Sequence, residues 1–251
     1  MGTENTLGFE PAVVQKASEE IVSQIQNSIL SGKLKPGDAL PPEREPIRMF
    51  ARSRPTVREA LRVLEMKGLI SITGGGGTVV CRPETSQLEE NLQIMLAMHD
   101  ITPDEVSEFR NSLEMATIQY AVKRRTKEHI DQMEQLIQRE QASLEDIELF
   151  TSLDRDFHEL IAKAAGNGIF VILLQALRPS IEKIIAQSIR RMGPEKYKKE
   201  QEILIRCHSE IARLIGEQSE EEALRCMREH IRQFERITRV PEEQASSEET
   251  V

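Results

Sequence analysis

Four residues in the C-terminal two thirds of the chain carry side chains that can bind one metal ion together. Asp154 and His158 are four positions apart, so both project from one side of a predicted helix. His208 and His230 lie in two later predicted helices, among apolar residues at helical spacing. One carboxylate and three imidazoles suit Zn²⁺, Ni²⁺, Fe²⁺ or Mn²⁺. We therefore predict a divalent transition metal, with zinc as first choice, in the core of a helical bundle.

The alternative is that each histidine acts separately, as a surface or core residue without a metal. That interpretation suits His99 and His129, which lie near predicted helix ends beside acidic residues. It suits His158, His208 and His230 less well, because apolar neighbours place them on inward faces. A buried polar group without a partner costs about 2–7 kcal/mol by transfer estimates, and a shared cation or polar ligand would satisfy all three.

A second group of residues has the properties of a DNA-reading helix. Residues 52–58 place arginines and hydroxyl side chains at the predicted start of a helix. Arg54 and Arg58 are four apart and share a face, while Ser53 and Thr56 can cap the helix or contact phosphate. In a helix-turn-helix, the N-terminal residues of the second helix contact base edges in the major groove.

The neighbouring segments favour DNA binding over a merely basic, solvated helix face. Arg44, at the start of the preceding predicted helix, can reach the same groove. Two short β-branched runs flank four consecutive glycines at 74–77, which predicts a hairpin with a glycine tip. Such a tip can approach a DNA backbone closely. Without the hairpin, the charge pattern alone would fit either interpretation equally well.

The charge distribution is uneven along the chain. The whole chain carries a formal charge of −9, yet residues 33–82 hold ten Lys/Arg and five Asp/Glu. Residues 83–251 hold 22 Lys/Arg and 33 Asp/Glu. A basic segment within an acidic chain indicates a local nucleic-acid footprint beside an acidic second domain.

The hydrophobic pattern predicts a mainly α chain with two domains. Residues 13–82 contain three helices followed by the hairpin, in the order of a winged helix-turn-helix. Residues 83–238 lack strand signals and predict an all-helical bundle. Residues 1–12 are expected to be a flexible lead, and the acidic, serine-containing segment 239–251 a disordered tail. The helices of the bundle are predicted at residues 87–98, 103–124, 127–144, 146–165, 168–189, 194–215 and 219–238.

Several function classes are disfavoured by what the sequence lacks. Its three cysteines have no CxxC spacing, so neither a disulfide framework nor a thiolate zinc cluster is expected. No signal-peptide pattern is present, and no apolar run approaches the ~18 residues of a membrane span. We expect a cytoplasmic protein without a membrane partner.

Residues 13–81 resemble the winged helix-turn-helix of the GntR family of regulators. The resemblance rests on Leu-Pro-Pro-Glu-Arg-Glu from Leu40, on Ser-Arg-Pro-Thr-Val-Arg-Glu-Ala-Leu-Arg from Ser53, and on the glycine-tipped hairpin. Two departures are Pro46, where the family has an apolar helix former, and Ala51 with Arg52, where it has Gly-Val. The resemblance implies DNA contacts by Arg44, Ser53, Arg54, Thr56 and Arg58, with Gly74 and Gly75 in a wing near the minor groove.

Residues 83–238 resemble the FCD ligand-binding domain of the FadR subfamily. The resemblance rests on Glu-Phe-Arg-x-x-Leu-Glu from Glu108, on Asp-x-x-Phe-His from Asp154, and on the two later histidines. It implies an antiparallel helical bundle of the metal-dependent, organic-acid-sensing branch. Arg110 matches an arginine that in some family members helps hold the effector carboxylate, although an ion pair with Glu114 explains it equally well. The implied metal ligands are Asp154, His158, His208 and His230.

Together these features predict a repressor that a small organic acid, bound at the metal, releases from DNA. A homodimer is expected to bind a palindromic double-stranded operator. One alternative is the same regulator with a purely structural metal and a separate effector pocket. Another is a metal-dependent hydrolase, against which stands the absence of an HExxH motif and of a general base beside the ligands. Activation instead of repression also fits the sequence.

Overall fold

The computed structural model describes residues 17–42, 44–73 and 77–238, and for Pro194 it describes the backbone alone. The chain divides into two compact units, with the boundary between Glu84 and Thr85. The expected flexible lead at 1–12 and disordered tail at 239–251 lie outside the described residues.

Three helices of the N-terminal unit share one apolar core. They are α1 (Ala17–Leu30), α2 (Arg44–Phe50) and α3 (Arg54–Met66). Apolar side chains recur every three or four residues on α1 and α3, so each helix buries one face against the other. The buried residues of these two faces are Ile21, Val22, Ile25, Val57, Ala60, Leu61 and Leu64.

A three-stranded antiparallel sheet completes the N-terminal unit. Strands β2 (Ile70–Ile72) and β3 (Thr78–Val80) form the predicted hairpin, and β1 (Ala39–Leu40) pairs with the other edge of β3. The sequence did not predict β1, because two residues between a turn and a proline pair carry no strand signal. Long-range bonds form it instead: Gly37 N–H donates to the Val80 carbonyl, and Val80 N–H donates to the Asp38 carbonyl.

Of the two departures from the GntR pattern, Pro46 fits its helix, whereas the Ala51–Arg52 pair places a strained residue between α2 and α3. Pro46 is the third residue of α2, within the first turn, where its missing N–H leaves no helix bond unmade. Ala51, between α2 and α3, has φ 49°, a left-handed conformation that favours glycine. Arg52 pairs with Glu20 of α1 at 3.2 Å. The first turn of α2 therefore accommodates Pro46 without loss, whereas the backbone at Ala51, between the two helices, is strained.

The C-terminal unit is an all-helical bundle, which confirms the predicted fold class. Its helices begin and end within about three residues of the predicted positions. They are α4 (Ser86–Met98), α5 (Pro103–Arg124), α6 (Lys127–Ala142), α7 (Ile147–Ala164), α8 (Gly168–Met192), α9 (Pro194–Gly216) and α10 (Glu220–Thr238).

Local capping interactions fix where the helices begin. Thr102 accepts from the Glu105 backbone N–H while the Glu105 carboxylate accepts from the Thr102 N–H, which is the predicted capping box of α5. Thr126 and His129 form the same reciprocal pair at α6. Asp146 caps α7 through the Leu149 N–H. These caps fix the starts of α5, α6 and α7, which carry Arg110, Glu140 and His158.

The core of the bundle lies where α5, α6, α7, α9 and α10 pack against one another. Helix α8 covers α5 and α7, and α4 packs on α8. None of the helices in the described part of the chain is long and apolar enough to span a membrane. Large side chains that are fully buried in this core are Ile118, Met133, Phe150, Phe157, Ile161, Ile211, Ile215 and Met227.

Candidate metal centre and nucleic-acid interface

Three imidazoles from three helices meet in the core of the bundle. His158 lies on α7, His208 on α9 and His230 on α10, and one ring nitrogen of each lies within 4.8 Å of the others. The Nε2 atoms of His158 and His230 are 3.1 Å apart. All three rings are buried. The structure therefore brings together the three histidines that the sequence singled out.

The carboxylate of Asp154, the fourth predicted ligand, lies beside His208 but outside the group whose ligand atoms come within 4.8 Å of one another. Asp154 lies one helical turn before His158 on α7, and its Oδ1 is 3.5 Å from Nε2 of His208. Burial raises the pKa of Asp154 to about 6, and the charges of His208 and Arg110 oppose that rise only in part. A buried carboxyl at this position gains from a cation beside it.

Glu140, which the sequence analysis missed, orients His208. Both groups are fully buried, and the two carboxylate oxygens of Glu140 lie 3.1 and 2.9 Å from Nδ1 of His208. Since a carboxylate accepts hydrogen bonds, Nδ1 carries a proton, and Nε2 presents its lone pair to the cluster when the ring is neutral. Glu140 follows Met133 and Ile137 on the buried face of α6, so a charged residue in phase with an apolar stripe was the available signal.

A second carboxylate, Glu114 of α5, lies beside His158. Its Oε1 is 3.1 Å from Nδ1 of His158, within ion-pair distance but without the alignment of a hydrogen bond. Phe157 stacks on the His208 ring with centroids 4.3 Å apart. Together with Glu140, these contacts hold two of the three rings from the side away from the cluster.

The protonation of the three rings differs. Burial lowers the pKa of His158 and of His230 well below 6.5, and the charge of Arg110 and the neighbouring imidazoles lowers it further. For His208, burial also lowers the pKa, but the charge and hydrogen bond of Glu140 outweigh it and the net shift is upward. Two rings are thus neutral near pH 7, the form that binds metals.

The donor atoms fit a transition metal. Nε2 of His208 is buried and makes no hydrogen bond among the described residues. Metal–nitrogen bonds of about 2.0–2.1 Å place neighbouring ligand nitrogens roughly 3 Å apart. The 3.1 Å separation between His158 and His230 matches that spacing. An unpartnered buried nitrogen and a close imidazole pair are both satisfied by one cation at their centre.

Of the two roles that the sequence left open for Arg110, the structure shows the ion pair with Glu114. Arg110 Nε donates to Glu114 Oε1 at 2.7 Å, which is the expected ion pair within α5. Its guanidinium carbon lies 4.5 Å above the Phe234 ring, and its Nη1 is buried without a partner. The ion pair therefore fixes the guanidinium and leaves one buried donor unused.

A small cavity of about 40 Å³ adjoins the cluster. Its lining includes Arg110, Asp154 and His158, together with residues of α8 such as Arg178. Arg155 also faces the cavity, where it pairs with Glu182 of α8 at 2.8 Å. The lining thus contains three arginines, which can bind an anion, together with the carboxylates of Asp154, Glu159 and Glu182.

The other two histidines lie apart from the cluster. His99 is the exposed C-cap residue of α4. His129 closes the capping box of α6, where its Nδ1 accepts from the Thr126 N–H at 3.1 Å. Both positions agree with the interpretation of these two as separate residues near helix ends.

The exposed face of α3 carries the predicted DNA-reading residues. Ser53 caps the helix by accepting from the Thr56 N–H, and the two hydroxyl oxygens are 2.8 Å apart. Arg54 and Arg58 are exposed on one face, one turn apart. Arg62, which the sequence analysis passed over, is exposed one further turn along. Its signal was the same four-residue spacing.

Of the remaining predicted DNA contacts, the structure describes Arg44 but neither of the two wing glycines. Arg44 is exposed at the first position of α2. Gly74 and Gly75 lie outside the described residues. The helix-turn-helix residues are therefore placed, and the tip of the wing stays a prediction.

An exposed arginine face on the second helix of a helix-turn-helix, followed by a winged sheet, defines a DNA-binding transcription regulator. Residues 17–80 match the family described as bacterial regulatory proteins, gntR family, and residues 105–233 match the FCD domain. The chain belongs to the GntR family of transcription regulators and carries a C-terminal FCD domain. It is a regulator and not an enzyme, so the hydrolase alternative is wrong.

Curated relatives agree with this assignment. The chain is 28% identical to the HTH-type transcriptional repressor NanR of Klebsiella aerogenes, over 91% of this chain and 87% of the relative. It is 31% identical to NanR of Cronobacter sakazakii, over 68% of this chain and 67% of the relative. Among solved structures, a Streptococcus agalactiae GntR protein has the same fold, with a TM-score of 0.67 at 23% identity, over 87% of this chain and 99% of that one.

Proposed function

We propose that this protein is a metal-dependent repressor that a small organic acid releases from its operator. The observation that carries the proposal is the buried His158, His208 and His230 cluster, which opens onto an arginine-lined cavity. Repression is favoured because the relatives reported above are named transcriptional repressors.

The metal ligands are Asp154, His158, His208 and His230, and Zn²⁺ is the metal that we expect first. Ni²⁺, Mn²⁺ and Fe²⁺ accept the same donor atoms. When bound, the metal would supply coordination positions for an oxygen of the acid. Glu140 holds the His208 ring with Nε2 toward the cluster, so the ring is oriented before any ligand arrives.

Arg110 is proposed to hold the carboxylate of the effector. Its Nη1 is a buried donor without a partner beside the cavity, and leaving such a donor unpaired costs about 1–3 kcal/mol. A carboxylate oxygen in the cavity would accept this hydrogen bond. The Glu114 contact and the Phe234 ring keep the guanidinium in place for it.

The DNA contacts are proposed to come from Arg54 and Arg58 on α3, supported by Arg44, Ser53 and Thr56. Gly74 and Gly75 are proposed to approach the minor groove. A homodimer would place two such helices in successive major grooves of a palindromic operator, in the cytoplasm. The coupling between acid and operator is expected to be about 1–3 kcal/mol, a common range for such regulators.

A thermal-shift screen of small carboxylates tests the sensor. Full-length, zinc-loaded protein is melted with each acid, with and without a chelator. Binding at 100 times Kd stabilises by about 2.7 kcal/mol, so an active acid should raise Tm by roughly 5–10 °C. The shift should disappear with the chelator and should lower operator occupancy by gel shift. An acid-induced rise in Tm that is the same with and without the chelator would contradict acid binding at the metal.

Two histidine variants separate a sensing metal from a purely structural one. His208→Ala should abolish the response to the acid, since it removes a ligand and leaves Glu140 without its partner. His99→Ala is the matched control, because His99 is exposed and outside the cluster. If His208→Ala lowered Tm but kept the acid response, the metal would be structural and the effector pocket separate.

A further inference from the structure

Helix α4, which begins the C-terminal unit, is anchored by a charge. Its one buried residue is Glu89. The Glu89 carboxylate accepts two contacts from Nη2 of Arg178 on α8, at 2.8 and 3.1 Å. Its Oε1 also accepts from the Thr85 hydroxyl at 3.1 Å. The first turn of α4 is therefore fixed by a carboxylate that depends on one arginine.

The same arginine lines the cavity beside the metal centre. Arg178 of α8 lines this cavity together with Arg110 of α5 and Asp154 of α7. Its side chain is 38% exposed, whereas that of Glu89 is 10% exposed. Among the described residues, the hydrogen bonds of Arg178 all go to Glu89 through one nitrogen. An anionic group that drew the guanidinium into the cavity would move Nη2 away from the Glu89 carboxylate.

Glu89 also marks the start of the segment that leads to the DNA-binding unit. Thr85 is the first residue of the C-terminal unit and the N-cap residue of α4, and its hydroxyl bonds Glu89 instead of capping the helix. A second α4–α8 contact, from Gln93 Nε2 to Ser180 Oγ at 2.7 Å, is one turn further on. The chain from the DNA-binding unit thus enters the bundle at the carboxylate that Arg178 holds.

We infer that Arg178 is a specificity-determining residue that binds a second acidic group of the effector, and that this group displaces Glu89. The inference rests on the proposed function, because it assumes that the first carboxylate lies at the metal and Arg110. It assigns the effector to the di-acids and makes Glu89 an internal competitor. Loss of the Arg178 contact frees the first turn of α4 and lowers operator affinity.

The first test needs neither metal nor effector. Operator affinity of the full-length protein is measured by fluorescence anisotropy, on a duplex enriched from a random library with the wild-type protein. Glu89→Gln removes the charge and should weaken operator binding about tenfold, within the usual range of allosteric coupling. Glu90→Gln, an exposed neighbour on the same helix, is the control and should stay within about twofold. Equal affinities for the two variants would overturn the inference.

A double variant that exchanges the charges of Glu89 and Arg178 distinguishes loss of the ion pair from a folding defect. The double variant Glu89→Arg with Arg178→Glu restores an ion pair with its polarity reversed. It should recover operator affinity to within about threefold of wild type, whereas Arg178→Glu alone should resemble Glu89→Gln. A double variant as weak as the single ones would show that the pair itself does not control the operator-binding form.

The second test uses malate and lactate, which differ by one carboxylate. With zinc-loaded protein, Glu89→Gln should bind malate about tenfold more tightly than wild type and bind lactate unchanged, by calorimetry. Arg178→Gln should weaken malate binding and leave the affinity for lactate unchanged. Malate affinity unchanged by both substitutions, or lactate binding without malate binding, would overturn the di-acid assignment. Failure of the proposed function would differ, since wild type itself would then lack zinc or acid binding.

Discussion

Replacing Glu140 by glutamine tests how the protein prepares its metal site. Glu140 and His208 are both fully buried, and both carboxylate oxygens lie within 3.1 Å of Nδ1. The glutamine keeps the shape and one acceptor but loses the charge that raises the pKa of His208. Loss of such an outer partner costs 10–100-fold in metal affinity, and with no solvent to replace it we expect about 30–100-fold.

Competition with a chromophoric zinc chelator measures this change. Wild type, Glu140→Gln and Glu134→Gln are compared at one pH, with Glu134 as the control because it is exposed on the same helix. A factor of 30–100 corresponds to about 2–2.7 kcal/mol. Zinc affinity of Glu140→Gln within threefold of Glu134→Gln would refute the argument that Glu140 orients a ligand.

Three further predictions concern single residues. Arg54→Ala should weaken operator binding by about 1–3 kcal/mol if the side chain reads a guanine, and unchanged anisotropy titrations would remove it from the interface. Asp154→Ala should lower metal content by mass spectrometry while operator binding persists; full occupancy would exclude Asp154 as a ligand. Ala51→Gly should raise the free energy of unfolding by about 1 kcal/mol in urea titrations, because glycine tolerates φ 49°; a loss of stability would contradict the strain argument.

The helices and the histidine cluster could be predicted because local signals encode them. Asp154 and His158 share a face by their four-residue spacing, and the apolar neighbours of His208 and His230 fix the inward phase of α9 and α10. Once the helices pack side by side, inward residues at matching heights must meet. Most of the site could therefore be predicted from the helical spacing of its residues and from their apolar neighbours.

Features that depend on long-range contacts could not be predicted. β1 exists because Gly37 and Asp38 bond to Val80, more than forty residues later. The role of Glu140 depends on α6 packing against α9, which one sequence does not reveal. The contact between Glu89 and Arg178 joins α4 to α8 in the same way. In each case a polar group is satisfied by a partner that is remote in the chain.

Metal content of the purified protein tests the central claim most directly. Elemental mass spectrometry of full-length protein, reconstituted with zinc and then desalted, should give about one metal per chain. His208→Ala and His230→Ala should each lose most of it, while His99→Ala should match wild type. A wild-type protein that retains no transition metal, or a His208→Ala variant that retains all of it, would contradict the metal-dependent sensor and leave the DNA-binding assignment intact.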